Sequence, residues 1–471
     1  MSRRARVKSW IERGRESLWP VPGTLVLGSV LLAVLTVVFD RAIGVGLPDA
    51  RVLFRGTAEG ARAILSTIAA SLATVVSVAF SVMMIALQQA ASRYSPRVLQ
   101  QFTRDRGNKV VLGTHIGTFV FALLVLTQVR EETPEAGAQI PTFSIAMAIL
   151  LALISLGMLV YFLHHSIQSL RVEHILSAIR HETMPELAKH FPRSFGEPHQ
   201  DPPSTPELVR DLIDGRGLTE RVVRANREGY LRLMDEEGLI TAVPPSVRVA
   251  VVPVRVGQFV YSGQVLARLL GEGSLEEGDW TERVQAAFEL GTSRSLQQDP
   301  LYGVRQIVDI ALKALSPGIN DPTTAEQSLE HLGAMLVFLA DRDLPEPVRV
   351  TEQGTTFVLE RPSFGDYVER SFSQIRQVAT STHVHRHLLD VLAAVATRVQ
   401  GRGRLEHLRA EVGRIAEAAD RLDGSADEKQ RLRERAAEVA RLVERAKRHG
   451  SSREGDPSSR AGAEAGQLES L

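Results

Sequence analysis

Residues 63–91, AILSTIAASLATVVSVAFSVMMIALQQAA, run for 29 positions without a charged side chain. At ~1.5 Å per residue the helix they predict is longer than the ~30 Å of hydrocarbon in a bilayer, so it crosses and continues past one surface. Three further apolar runs lie outward from it: residues 22–39 before it, 110–129 and 140–163 after it. Together they predict a membrane α-helical domain of four transmembrane helices over residues 22–164. Buried helices of a soluble protein give similar runs, but not the alternation of charge found between these four.

Residues 1–21 carry Arg3, Arg4, Arg6, Lys8, Arg13 and Arg15, and the connection between the second and third runs carries Arg93, Arg97, Arg104, Arg106 and Lys109. The connection after the third run sets Arg130 against Glu131, Glu132 and Glu135. Basic connections stay in the cytoplasm, which predicts a multi-pass protein of the cell inner (plasma) membrane with both termini cytoplasmic. Trp10 and Trp19 fit interfacial anchors. The first run is read as retained, because Trp19-Pro20-Val21-Pro22 stands where a cleavable signal would place its basic region against the core. Up to His165 there are 16 basic and 9 acidic side chains, so the formal charge of zero for all 471 residues divides into about +7 and −7. A nucleic-acid role for the whole chain is excluded on that balance; the expected partners are the lipid bilayer and anionic lipid beside the basic loops. With no cysteine, disulfides, thiolate metal sites and cysteine nucleophiles are excluded.

The second run is polar in a patterned way. Ser66, Thr67, Ser71, Thr74, Ser77, Ser81 and Gln88 fall within roughly 140° of one another at ~100° per residue. Such a stripe lines a hydrated path or packs against another helix, and Val78 and Ile85 interrupt it. Thr67, Ser71, Thr74, Ser77, Ser81 and Gln88 are therefore the pore or helix-packing candidates. The helix extends toward Ser95-Pro96, where Pro96 kinks or restarts it.

The remainder predicts a cytosolic α+β region. Residues 165–228 read as a helical connector with a Pro-rich stretch, and 229–271 as a β module of alternating strands punctuated by glycine. Residues 257–269, GQFVYSGQVLARL, resemble the turn-rich half of biotinyl and lipoyl barrel-sandwich modules; the attachment lysine of those modules has no counterpart, since 229–269 contain no lysine. Residues 272–400 read as a helical domain interrupted by 316–322, SPGINDP. There Pro317-Gly318 suits the centre of a type II turn, Asp321 a helix cap and Pro322 the first helical position. Leu405, Leu408, Val412 and Ile415, then Leu432, Ala436, Val439 and Val443, step at coiled-coil spacing, so 401–448 is a helical hairpin or a coiled coil between subunits. Ser425 and Glu428 suit a capping box between the two segments. The polar tail 449–471 is expected to be disordered.

The stretch 314–325, ALSPGINDPTTA, with the residues leading into it from Arg294, resembles the signature of a bacterial family of predicted multi-pass membrane proteins of unknown function. The run 80–97, FSVMMIALQQAASRYSPR, is similar to that family's other marked segment. The resemblance covers about residues 15–400 and implies no established activity. It singles out Arg294, Asp299, Asp309, Ser316, Asn320 and Asp321 as ligand or interface candidates. No nucleophile elbow surrounds Ser316 and no phosphate loop occurs, so no catalytic residue, cofactor or metal is assigned. His164, His165, His174 and His181 form no compact ligand set, and of His383, His385 and His387 the i and i+4 members His383 and His387 share a helix face, with only Asp390 as an acidic neighbour. Two functions of different class follow: an oligomeric channel-like assembly gated by the cytosolic region, or a membrane-anchored scaffold or ligand sensor without transport.

Overall fold

The computed structural model describes residues 19–46, 57–93, 105–130, 140–189, 197–198, 218–272, 278–340, 342, 347–399 and 402–453. Trp10, Pro96, Arg97, Arg104 and most of the basic N-terminus and the polar tail lie outside them. The chain divides into two compact units, one drawn from Val7–Ile175 and one from Leu176 onward.

The first unit is built from four helices, α1 (Pro20–Gly46), α2 (Ala58–Arg93), α3 (Arg106–Leu126) and α4 (Thr142–Ser169). All four are long and apolar enough to cross a membrane. α3 sits against each of the other three, and its glycines permit the closest of these approaches. A Cβ on Gly113 would stand 2.9 Å from the Pro22 Cα, and one on Gly117 would stand 2.4 Å from the Ser29 Oγ. This Gly-x-x-x-Gly spacing brings the α3 backbone onto α1, where lipid-like side chains on both sides leave packing as the source of attraction. Ala61, Leu65, Ala69, Phe121, Ala122, Val125, Ile145 and Ala148 fill the interior between α2, α3 and α4. Outward, Leu27, Leu31, Leu153, Leu156 and Val160 are exposed, as lipid-facing positions are.

Both ends of this bundle are closed by carboxylates. Asp40, on α1, accepts hydrogen bonds from the Phe143 and Ser144 amides at 2.9 Å and from the Ser144 hydroxyl at 2.6 Å. These satisfy the start of α4, whose own cap position, Pro141, offers no side-chain acceptor. At the other end Asp105 accepts from the Gly107 amide at 2.7 Å and pairs with His165 Nε2 at 2.6 Å, while Tyr161 stacks on the imidazole. Lys109, expected near the headgroups, is instead buried at 3% exposure, because it falls on the packed side of α3.

The second unit opens with α5 (Val172–Lys189) and β1 (Glu197–Pro198), followed by β2 (Thr219–Arg224), β3 (Gly229–Met234), α6 (Glu236–Ala242), β4 (Val247–Val252), β5 (Phe259–Val260), β6 (Val265–Gly271), α7 (Asp279–Ala286) and β7 (Phe288–Gly291). Then come α8 (Pro300–Ala314), α9 (Pro322–Ala340), β8 (Val348–Val350), β9 (Thr356–Leu359), α10 (Phe364–Val378), α11 (Thr382–Ala396), α12 (Arg402–Ala418) and α13 (Ala426–Arg453). A six-stranded sheet has the order β1-β8-β9-β4-β6-β2, with β4 and β9 parallel, and a three-stranded sheet has the order β5-β3-β7. The strands of 229–271 are thus divided between two sheets and paired with β2, β7 and β9 from outside that segment. A barrel-sandwich closed on its own strands is not what they form: β4 pairs with β9, so that Ala250 and Val252 share a core with Phe357 and Leu359, and Val249 shares one with Val348 and Val358.

The turn between α8 and α9 also departs from expectation. A type II turn needs a left-handed residue at Gly318, yet the residue with positive φ is Asn320, at 49°. The chain leaves α8 through a helical turn, with the Ile319 amide donating to the Ser316 carbonyl and the Asp321 amide to the Ala314 carbonyl, and Asn320 closes it as a left-handed C-cap does. Asp321 then caps α9 by accepting from the Thr324 amide at 3.1 Å and its hydroxyl at 2.6 Å. In α12 and α13 the apolar seam residues are all buried within the chain, against each other and against α10 and α11. A hairpin therefore uses the seam that a coiled coil between subunits would need. Ser425 and Glu428 form the reciprocal cap at the start of α13.

Candidate functional site

α2 packs its small apolar side inward, through Ala61, Leu65, Ala69, Leu72, Ala79 and Ala86, and leaves Thr67, Ser71, Thr74, Ser77, Ser81 and Gln88 exposed. The hydroxyl stripe is thus not a helix-packing surface of its own bundle. Thr67 donates to the Ala63 carbonyl at 2.7 Å, Thr74 to Ala70 at 3.1 Å, Ser77 to Ala73 at 3.0 Å and Ser81 to Ser77 at 2.9 Å. Each donor is spent on its own backbone and each oxygen keeps free lone pairs, which lowers the cost of an apolar surrounding. Ser71 differs: its hydroxyl has no hydrogen-bond partner among the described residues.

The stripe has two parts. Thr67 and Ser71 line a groove of 570 Å³ along α2, α3 and α4, walled by Ile64, Ile68, Leu72, Leu153 and Leu156. Thr74, Ser77, Ser81 and Gln88 do not line it, and fall within roughly 60° of one another on the outward side. His115 and Ser155 also line the groove. Ser155 donates to Thr118 Oγ1 at 3.1 Å, and His115 places Nδ1 at 2.8 Å from the Val111 carbonyl. His115 is 1% exposed and its Nε2 has no partner among the described residues. Sequence reasoning passed over His115; the available signal was an ionisable side chain inside an apolar run, where such residues carry function.

In the second unit the six ligand or interface candidates do not converge. Arg294 and Asp299 meet as a two-pronged pair, with Nε to Oδ2 at 2.8 Å and Nη2 to Oδ1 at 3.0 Å, beside the start of α8. Tyr302 lies 5.1 Å from the guanidinium carbon, and Gly257, at φ 89°, runs its backbone over the pair. A Cβ there would stand 2.2 Å from Asp299 Oδ2. Burial raises the Asp299 carboxyl above its ordinary range, with Arg294 pulling the other way, and burial beside Asp299 raises the Tyr367 phenol. Asp309 pairs with Arg305 at 2.7 Å along α8. Ser316, which donates to the Lys313 carbonyl at 2.6 Å, and Asn320 and Asp321 stand past the far end of α8, about 22 Å away for a helix of 15 residues. Two ion pairs, Arg294–Asp299 and Arg305–Asp309, the caps at Asn320 and Asp321 and the Ser316 bond to its own helix therefore account for the six, and Pro317, Gly318, Ile319 and Asn320 remain exposed at the tip.

The histidine triplet also separates. His385 is fully buried, with Nδ1 3.0 Å from the Ser381 carbonyl and Nε2 3.2 Å from the Arg376 carbonyl, and burial lowers its pKa. His383 faces Glu326 at 3.0 Å and His387 faces Glu330 at 3.5 Å, carboxylates contributed by α9 that the local sequence around the triplet does not contain. Among the described residues no three metal-ligating side chains stand close enough to hold an ion.

The family described as predicted membrane protein (DUF2254) matches residues 15–394. An uncharacterized protein of Mycobacterium bovis is 32% identical over 402 residues, covering 84% of this chain and 75% of the relative. An uncharacterized protein of Mycobacterium tuberculosis matches with the same identity and coverage. No solved structure matches the chain.

Proposed function

The chain belongs to the DUF2254 family of predicted membrane proteins, and from that premise we propose that it forms a homo-oligomer in the inner (plasma) membrane whose α2 helices line a narrow channel-like path. Both termini and the second unit are on the cytoplasmic side, where the second unit gates the path or forms its vestibule, and exposed Arg106 meets anionic headgroups. One observation carries this reading: α2 turns Thr74, Ser77, Ser81 and Gln88 away from its own bundle, while an alanine-rich side that lipid would accept is packed inward. Small hydroxyl-bearing faces are where membrane helices meet other helices or water. Because the Thr74, Ser77 and Ser81 donors are spent on the backbone, these positions offer acceptor oxygens without a formal charge. That lining suits a partly dehydrated cation better than an anion.

Purified full-length protein in liposomes is expected to pass a potassium gradient, and Ser77→Leu is expected to reduce that flux several-fold. Flux no greater than that of empty liposomes under cation and anion gradients overturns the proposal. The exposed tip bearing Ile319, 41% exposed, favours a second reading as a membrane-anchored scaffold or sensor. Under it, Ile319→Asp abolishes partner capture by the full-length protein and liposome flux is absent.

A further inference from the structure

The groove along α2, α3 and α4 combines three features. Its walls are aliphatic, and neither an acid nor an amine or guanidinium lines it. Its volume of 570 Å³ lies within the range of small-molecule sites. Two polar atoms of lining residues are without partners among the described residues: Ser71 Oγ and, on a side chain 1% exposed, His115 Nε2. His115 is the tenth of 21 residues in α3, which puts it near the middle of its span, where water is scarcest.

The chemistry of these two atoms restricts what fills the groove. Nδ1 of His115 faces a carbonyl, which can only accept, so in the neutral ring Nδ1 carries the proton and Nε2 is an acceptor. Ser71 has a donor free. A hydroxyl suits both atoms, since it donates to an acceptor such as Nε2 and accepts from a donor such as Ser71. A charged headgroup would find no counter-charge in the groove, and a plain acyl chain would leave both atoms unsatisfied at mid-depth. We propose that this groove binds a membrane lipid whose polar part is a hydroxyl, a lipid alcohol or phenol, held by His115 and Ser71 with its apolar body along Ile64, Ile68, Leu153 and Leu156. The site uses a side of α2 that Thr74, Ser77 and Ser81 do not share, and it stands whether or not the assembly conducts.

The test uses the full-length protein in phosphatidylcholine nanodiscs with a diazirine-bearing hexadecanol and, separately, its methyl ether. The alcohol is expected to label peptides of α2 and α4 about tenfold more than the ether, the ratio that one hydrogen bond to a buried acceptor supports. His115→Phe is expected to abolish that preference, and exposed His164→Phe to leave it unchanged. Should His115→Phe fail to fold, Ser71→Ala, on an exposed position, is expected to cut labelling by the alcohol about threefold or more, and unchanged labelling by the alcohol overturns the proposal. Equal labelling by alcohol and ether in the wild-type protein overturns the proposal and assigns the groove to acyl chains or water. Since the chain has no cysteine, Leu156→Cys adds its sole thiol. A disulfide dimer through that thiol, with neither probe labelling the groove, overturns the proposal in favour of a second copy.

Discussion

His115 and His385 are buried to the same degree, one in the membrane unit and one in the second unit, and their ring nitrogens are treated differently. Both nitrogens of His385 stand against backbone carbonyls, Ser381 at the start of α11 and Arg376 near the end of α10, and the one N–H of the neutral ring donates to one of them. Only Nδ1 of His115 is met, and its other nitrogen is left open beside a groove. His385 ties two helices together; His115 carries an open acceptor at a depth where the solvent cannot supply a partner. The contrast extends to the surroundings. In the second unit Arg294 with Asp299, Asp321 with Thr324 and Glu411 with Arg376 and Arg414 each have their partners in the chain. Burial alone therefore does not mark a functional polar group; what sets His115 apart is an unmet nitrogen on a residue that lines an apolar groove.

The largest expected effect tests the structural side of the contrast. Gly257→Ala drives a methyl into the Arg294–Asp299 pair from a left-handed backbone, and is expected to cost about 3 kcal/mol or more. Denaturant unfolding of the full chain, followed by hydrogen exchange in the peptides around 250–310, measures it; a loss below 1 kcal/mol would show that the pair gives way freely.

Next is His385→Leu, which removes the ring N–H that donates to a buried carbonyl and is expected to cost about 2 kcal/mol. It also carries a pH signature. Burial lowers the native pKa of His385 below 6.5, so the unfolded chain takes up the proton first as pH falls. Its contribution is full above 6.5 and declines below it, and His331, lowered chiefly by burial, acts in the same sense. The wild-type unfolding midpoint is expected to drop between pH 7 and pH 5, and His385→Leu to flatten that drop. An unchanged slope in the variant would assign it to other groups.

His115→Phe is expected to stay within about 1 kcal/mol of wild type in unfolding, because removing an unmet acceptor offsets the lost Nδ1 contact. If it destabilises the membrane unit as much as His385→Leu does the second unit, the two histidines are alike and the contrast fails. The smallest stability effect belongs to Thr74→Val, an isosteric change at an exposed, self-bonded hydroxyl, expected within about 0.5 kcal/mol. Its readout is liposome flux, and a flux identical to wild type would remove Thr74 from the path.

How much of this was legible in the sequence follows the range of the forces involved. The four membrane helices could be read because span length and hydropathy are properties of a single segment. The caps Asp321 and Ser425 with Glu428 could be read for the same reason, since a cap and its helix are three residues apart. Gly113 and Gly117 carried a legible packing signal that was missed. The division of the α2 stripe could not be read, because it depends on where α4 places Leu153 and Leu156. The strands of 229–271 alternate as expected, but their partners come from β2, β7 and β9, and alternation says nothing about pairing across a hundred residues. At Pro317-Gly318 a local rule failed because α8 ends by helical continuation, and Asn320 rather than glycine took the left-handed position. The spread of the six candidates over both ends of α8 was hidden for a similar reason: the family-like stretch is continuous in sequence and about 22 Å long in space.

The Asp40 carboxylate has a bearing on how the bundle is made. It caps a helix whose first bonded amide is synthesised 103 residues later. At ~5–20 residues per second, about 5 to 20 s separate the two halves of that contact. Throughout this interval α1 can pack on α3, while its carboxylate waits for the last span. The order of synthesis thus makes α4 the piece that completes the bundle, and truncation before Thr142 leaves the Asp40 carboxylate without the Phe143 and Ser144 donors.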